Sequence, residues 1–174
     1  MTRTFRPVQY MALDLNPRGI DFCLQHHRID GLAFVQGDAE NLPFPESTFD
    51  VVLNVEASHC YSTLPRFLGE VARVLRPGGK FLYADFRFRD GLAEWDKALD
   101  AAPLRMVRKR NINAEVLRGL NRNSARSVDL VTQLPKFMQA LGRDFAGIKG
   151  SRIYIGLEKR EITYRSYCFE KVAE

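Results

Sequence analysis

The sequence predicts an α/β fold built on parallel strands, and three observations carry that prediction. Short apolar runs alternate with helical stretches over residues 10–86, the pattern of repeated βαβ units with right-handed crossovers. One run, Val51 to Val55, is apolar enough for a strand covered on both faces by helices. Directly after it come Asn54, Glu56, Ser58, His59, Cys60 and Tyr61, a polar cluster at a strand end. Open α/β sheets bind their ligands beyond the carboxyl ends of their strands, so chemistry is expected there.

Taken in order, Met11 to Leu15 is the first predicted strand, ending at Asp14, Asn16 and Pro17. Arg18 to Arg28 has helical spacing, with Ile20, Cys23 and Leu24 on one face and Gly31 as its stop. Leu32 to Val35 is a second strand, closed by Gly37-Asp38. A Pro-punctuated loop, Asn41 to Phe49, leads to a third strand, Phe49 to Val55. Leu64 to Leu75 is a helix with Phe67, Leu68, Val71, Val74 and Leu75 on its apolar side. Pro77 ends it, Gly78-Gly79 turn the chain back, and Lys80 to Phe86 is a fourth strand.

Beyond Arg89 the chain becomes more helical and more basic. Leu92 to Ala102 and Ile112 to Leu120 are amphipathic, and the charged run Arg105 to Arg110 is expected as a solvated junction between two helices. Ser127 is placed as the cap of a helix running to about Leu141, bent or restarted near Pro135. Phe145 to Lys149 and Ile162 to Val172 are expected as two closing strands, the second alternating and aromatic-rich as near a sheet edge. Ile153 to Lys159 fits a helix or a strand.

Composition narrows the class. The 174 residues, 45% hydrophobic and 27% charged, fit one globular domain, residues 1–174. No apolar run approaches the ~20 residues that span a bilayer, and the basic N-terminus lacks the apolar core of a signal peptide. Cys23, Cys60 and Cys168 are odd in number and lack ligand spacing. No metal site is expected from them, and the cytoplasm is the expected compartment. A net charge of +5 permits an acidic partner without requiring one.

Among the candidate residues, Asp14 closes the first strand, where a carboxylate can accept from two ribose hydroxyls or cap the next helix. Asp38 closes the second strand and can accept from an exocyclic amino group; Ala39 beside it lets a flat ring approach the backbone. Glu56 and His59 are three apart and share a side if the segment coils. His59 is then a general base with Glu56 as its orienting carboxylate, or a histidine that only satisfies local backbone groups. His26-His27 has no partner at ligand spacing.

Four strings, LDLN at 13–16, GDAENLPF at 37–44, FDVVLNVEASHCY at 49–61 and VLRPGG at 74–79, resemble the successive motifs of class I S-adenosylmethionine-dependent methyltransferases. With INAEVLRG and YCF further on, the resemblance is closest to phthiotriol/phenolphthiotriol dimycocerosates methyltransferases and runs from Tyr10 to Lys171. It implies a Rossmann-like methyltransferase sheet and a cytoplasmic enzyme of lipid metabolism that methylates a hydroxyl of a hydrophobic cell-envelope lipid. It also implies transient contact with a membrane surface and no nucleic-acid partner. By position, the cofactor S-adenosyl-L-methionine would meet Asp14 and Asn16 at its ribose, Asp38 and Ala39 at its adenine, and Asn54 and Glu56 at its methionine end. His59 would face the acceptor and take its proton during an in-line displacement. Residues 10–86 would be the cofactor-binding core, 91–125 a helical lid over the substrate, and 127–174 a closing helix with C-terminal strands.

One departure from the family pattern stands at the front. The glycine-rich loop normally lies about 20 residues before the ribose-binding acid, and Asp14 is too early for it. The first strand, the glycine-rich loop and the first helix are therefore expected to be lacking. Two outcomes follow for the sheet: strands that are not normally neighbours pair, or a gap remains and the domain is marginal; in either case cofactor affinity is expected to be poor. The resemblance thus leaves alternatives open. One is a catalytically impaired relic, or half of a split enzyme with a partner chain supplying the missing part. Another is a methyltransferase on a smaller acceptor such as a fatty acid hydroxyl. A nucleic-acid modifier rests only on the basic run and ranks last.

Overall fold

A computed structural model describes residues 9–172; the N-terminal stretch in which no signal peptide is expected lies outside them, at 1–8. The strands form two sheets rather than one. β1 (Tyr10–Asp14) and β2 (Leu32–Gln36) pair in parallel, joined by helix α1 (Pro17–His26). The second sheet has the order β3-β4-β6-β5, from β3 (Phe49–Val55), β4 (Leu75–Phe88), β5 (Arg105–Asn111) and β6 (Ile162–Glu170). β3 and β4 are parallel, whereas β6 runs antiparallel to both β4 and β5. Among the described residues β1 pairs only with β2 and β3 only with β4, so each presents an open edge. The gap is the second of the two expected outcomes.

β4 is the spine of the larger sheet. One face presents Phe81, Tyr83 and Asp85, all 2% exposed or less. Helix α2 (Leu64–Val74) covers this face with Phe67, Leu68 and Val71, and helix α3 (Leu92–Asp100) with Trp95 and Leu99. Both stripes recur at three- and four-residue spacing, as an amphipathic helix requires. On the opposite face Phe86, Ile162 and Tyr164 meet helix α4 (Asn113–Thr132) through Val116, Leu117 and Leu120, and helix α6 (Arg152–Glu158) through Leu157. Helix α5 (Lys136–Phe145) packs back on α4: a Cβ on Gly142 would lie 3.4 Å from Val131. No helix among the described residues is long and apolar enough to cross a membrane.

Several expectations are corrected. The run Arg105 to Arg110 is the edge strand β5, not a helix junction; its exposed side chains leave no alternation to read, and acids answer them. Arg105 and Lys80 pair with Glu170, Lys109 with Asp96, and Arg110 with Glu115. The 91–125 segment is therefore not wholly helical, and its α3 belongs to the core. Position 127 lies inside α4, which runs from Asn113 to Thr132, so no helix starts there, while α5 does restart after Pro135. Phe145 to Lys149 is no strand: it ends α5 and turns, with Gly147 at φ +58. Among the described residues, 127–172 thus hold one strand, not two, and Ile153 to Lys159 lies largely in α6. β4 also begins earlier than Lys80. Gly78 adopts φ +78 and donates to the Lys171 carbonyl, so the RPGG turn is drawn into the strand.

The loop between β2 and β3 is tied to α2 by side chains. Glu40 accepts from Ser62 and Thr63 at the start of α2. Glu70 accepts from Leu42 N–H, and Arg73 donates to the carbonyls of Leu42 and Phe44 and to Glu70. The Arg73 hydrogen bond holds the Glu70 carboxyl below its ordinary value of 4.5. A depressed acid stabilises the fold above that value and loses the effect as pH falls through its folded value. Arg73→Ala should therefore cost about 1–2 kcal/mol in urea unfolding at neutral pH, a figure already reduced for partial exposure. The difference between the parent chain and Glu70→Gln should shrink on titration below 4.5. An unchanged midpoint in both variants would remove this tie.

Candidate active site

The polar cluster after β3 is built on a buried carboxylate. Glu56 takes a left-handed φ of +52, and Ser58–Cys60 then form a single 3₁₀ turn. That turn lies against Asp85 of β4, which is fully buried. Asp85 Oδ2 accepts from Ser58 Oγ at 2.6 Å and from His59 N–H at 3.0 Å; Oδ1 accepts from Phe86 N–H at 2.8 Å. Arg87, 3.4 Å away and 16% exposed, supplies the balancing positive charge. A buried charge is tolerated only when paired and hydrogen-bonded, and here both conditions are met.

His59 Nδ1 lies 2.9 Å from Asp85 Oδ1. A carboxylate only accepts, so Nδ1 donates, and in the neutral form of the ring Nε2 holds the lone pair. The ring rests against Phe86, with centroids 4.5 Å apart, and its side chain is 29% exposed. It is thus held in one tautomer and one plane with its basic nitrogen free.

Behind this pair runs a directed chain of donors. Trp95 Nε1 donates to Tyr83 Oη at 3.0 Å, and Tyr83 Oη meets Ser58 Oγ at 2.5 Å. Because Ser58 gives its proton to Asp85, the Tyr83 phenol donates to Ser58. Burial pushes that phenol up to about 12, so it keeps its proton. Arg87 adds a bond to Ser58 Oγ at 3.0 Å.

Glu56 is not the partner of His59. Its carboxylate lies beside the Tyr164 phenol, which burial first and Glu56 second push well upward. The left-handed backbone at Glu56 breaks the i, i+3 relation on which the expected pairing relied.

The expected cofactor residues gather on the other side of the turn. Asp14 accepts from Asn16 N–H at 2.8 Å, and Asn16 caps α1 by accepting from Arg18 N–H at 3.0 Å. The helix cap is therefore Asn16, and Asp14 keeps an exposed carboxylate at the strand end. Gly37 N–H donates to the Asp14 carbonyl, which sets the ends of β1 and β2 side by side. Asp38 forms a turn onto Glu40 N–H, and Ala39 packs at the edge of the core that contains Tyr61. Asn54 Nδ2 donates to Tyr61 Oη at 2.8 Å, while Asn54 Oδ1 is buried without a partner. Burial raises the Tyr61 phenol, and the charges of both Asp85 and Asp14 add to the rise. Tyr61 thus lies within electrostatic reach of both halves of the site.

Sequence reasoning overlooked Asp85, Arg87 and Tyr83 as site residues and gave Ser58 no role beyond its place in the polar cluster. A lone acid inside the apolar string FLYADF was the available signal, since a charge in a covered strand demands partners.

Comparison with known proteins bears on the fold and the family. The family described as a methyltransferase domain matches residues 1–83. A phthiotriol/phenolphthiotriol dimycocerosates methyltransferase of Mycobacterium tuberculosis is 55% identical over 172 residues, 98% of this chain and 64% of the relative. A fatty-acid O-methyltransferase of Mycolicibacterium smegmatis is 51% identical, over 100% of this chain and 63% of its own length. The chain thus spans somewhat less than two thirds of these relatives. A crystal structure of a putative sarcosine dimethylglycine methyltransferase from Galdieria sulphuraria superposes with a TM-score of 0.77 at 16% identity. That match covers 98% of this chain and 72% of the other, and shows the shared fold. The cofactor of this family is S-adenosylmethionine. Over residues 1–83 the chain matches the methyltransferase-domain family, and its similarity to these relatives supports a class I S-adenosylmethionine-dependent methyltransferase.

Proposed function

We propose that this chain is the catalytic portion of an O-methyltransferase that acts on a hydroxyl of a hydrophobic cell-envelope lipid of the phthiotriol/phenolphthiotriol dimycocerosate type. The observation that carries the reading is the His59–Asp85 pair with Nε2 left free. An alcohol needs its proton removed as its oxygen attacks, and a fixed neutral imidazole does that near neutral pH. A fatty acid carboxylate is already ionised there and needs no base. The pair therefore favours an alcohol over the carboxyl of a fatty acid, although a fatty-acid O-methyltransferase is among the relatives.

The residues present fit the cofactor. Asn54 Oδ1 is a buried acceptor without a donor, suited to the cofactor's amino group. Asp14 and Asp38, at adjacent strand ends, suit the ribose hydroxyls and the adenine amino group, with Asn16 fixing the Asp14 turn. Ala39 leaves room for the ring. Bound S-adenosylmethionine supplies a methyl group on a positively charged sulfur. His59 Nε2 takes the acceptor's proton, and Asp85 stabilises the imidazolium that results. The segment at 91–125 walls the lipid side.

The open edges of β1 and β3 support a partner strand. A further extended segment, from another chain or a longer form of this one, completes the sheet between them. Contact with a membrane surface supplies the lipid, and the cytoplasm remains the proposed compartment.

His59→Ala should lower methyl transfer to a phthiotriol-type alcohol by about 10²–10⁴-fold while calorimetric affinity for S-adenosylmethionine stays within a few-fold. The same substitution in a full-length relative serves as the parallel measurement. Equal turnover would remove His59 from the base role. Asp85→Asn should lose about 10²-fold or more in turnover with a smaller change in cofactor binding, because the carboxylate that fixes the tautomer is gone. A purely structural Asp85 would instead lower both together.

A further inference from the structure

We infer that Arg87 is a positioning residue for the proposed reaction: its fixed charge offsets Asp85, so that Asp85 holds His59 in place without loading a proton onto Nε2. This role rests on the reading of His59 as the base that takes the acceptor's proton. Arg87 Nη1 lies 3.4 Å from Asp85 Oδ2 and donates to the Phe86 carbonyl at 2.7 Å. Nη2 donates to Ser58 Oγ at 3.0 Å, and the guanidinium lies over the Trp95 ring, 4.9 Å from its centroid. The two oxygens of Asp85 therefore face different partners, Oδ2 the guanidinium and Oδ1 the imidazole.

The next cation in the core is engaged elsewhere. Arg165 stands level with Asp85 across the β4–β6 ladder and also lies over the Trp95 ring, at 5.3 Å. It donates, however, to Asp96 Oδ1 at 2.7 Å and to the Tyr167 phenol at 3.3 Å, and Lys109 shares Asp96. Each guanidinium thus has its own carboxylate. Trp95, 1% exposed, keeps water from the face of both, so their charges are weakly screened.

The charges give Arg87 its role. Asp85 and Arg87 together are neutral around a neutral imidazole, so a proton taken up by His59 leaves a net positive cluster. Without Arg87 the buried carboxylate is unanswered, and a proton on the imidazole makes the cluster neutral. Burial favours whichever state is neutral. The other groups around the pair supply no substitute cation. The phenols of Tyr61, Tyr83 and Tyr164 are all pushed upward by burial and stay uncharged at neutral pH. Glu56 and Asp14, which act on the Tyr164 and Tyr61 phenols, are acids, and the exposed Cys60 thiol has no cationic form.

Nitrogen-detected NMR of His59 in Arg87→Gln, without cofactor or acceptor, tests the role beside turnover measured against pH. At neutral pH the parent should show one protonated and one pyridine-like ring nitrogen, and the variant two protonated ones. The rising limb of turnover should move up by about one to three pH units in Arg87→Gln. On the plateau above it, turnover should lie within about tenfold of the parent, well inside what loss of a general base costs. Arg87→Lys returns the charge without the planar fork and should bring the limb and the spectrum back. An unmoved limb with an unchanged spectrum in Arg87→Gln overturns the inference. So does turnover lowered equally at every pH, the mark of a counter-ion that only supports the fold. Should Arg87→Gln lose its cooperative melt, Arg87→Lys decides: a limb that stays in place while turnover falls supports the charge role, and a displaced limb overturns it. If no alcohol is methylated at any pH, the acceptor reading fails while the imidazole spectrum still decides on Arg87.

Discussion

The structure turns on one buried carboxylate. Asp85 sits at zero exposure near the carboxyl end of β4 and accepts from a serine hydroxyl, two backbone amides and an imidazole, with Arg87 as counter-charge. Those bonds fix the 3₁₀ turn after β3, and the turn fixes His59. A charge in this environment stays only if every neighbour keeps its place, because one lost partner leaves the desolvation cost uncompensated. Positional precision at His59 is thus inherited from the core, where Trp95 and Tyr83 belong both to the α2–α3 packing and to the donor chain.

The site has two halves joined at Tyr61. On one side stand the ends of β1 and β2 with Asp14, Asp38 and the unsatisfied Asn54 Oδ1; on the other stands the His59–Asp85 pair. The phenol of Tyr61 feels charge from both. That arrangement suits a reaction in which a cofactor and an acceptor must be held in line, where alignment itself supplies much of the acceleration. The separation of β1–β2 from the larger sheet bears on the first half most, since hydrogen bonds of a completed sheet would fix its distance from the second.

The parts legible in the sequence were those with a period. β1 to β4, α1 and α2 each carry an apolar pattern dictated by burial, and β6 alternates as an edge-near strand does. β5 was not legible because a solvated edge strand has no buried face and its arginines are answered by acids far away in sequence, such as Glu170. Phe145 to Lys149 looked like a strand because two large apolar residues are close together, yet Gly147 and Gly150 at positive φ turn the chain there. In the candidate site, His59, Asn54, Asp14 and Asp38 are proposed from their places at strand ends. The partner of His59 could not, because a left-handed Glu56 reverses the local geometry and the true partner lies 26 residues away.

Nitrogen-detected NMR of the imidazole of His59 at neutral pH tests the central claim most directly. The account predicts a protonated Nδ1 and a pyridine-like Nε2, a pattern that disappears in Asp85→Asn. A proton resting on Nε2 instead would contradict it, because the nitrogen facing the acceptor would then have no lone pair to offer.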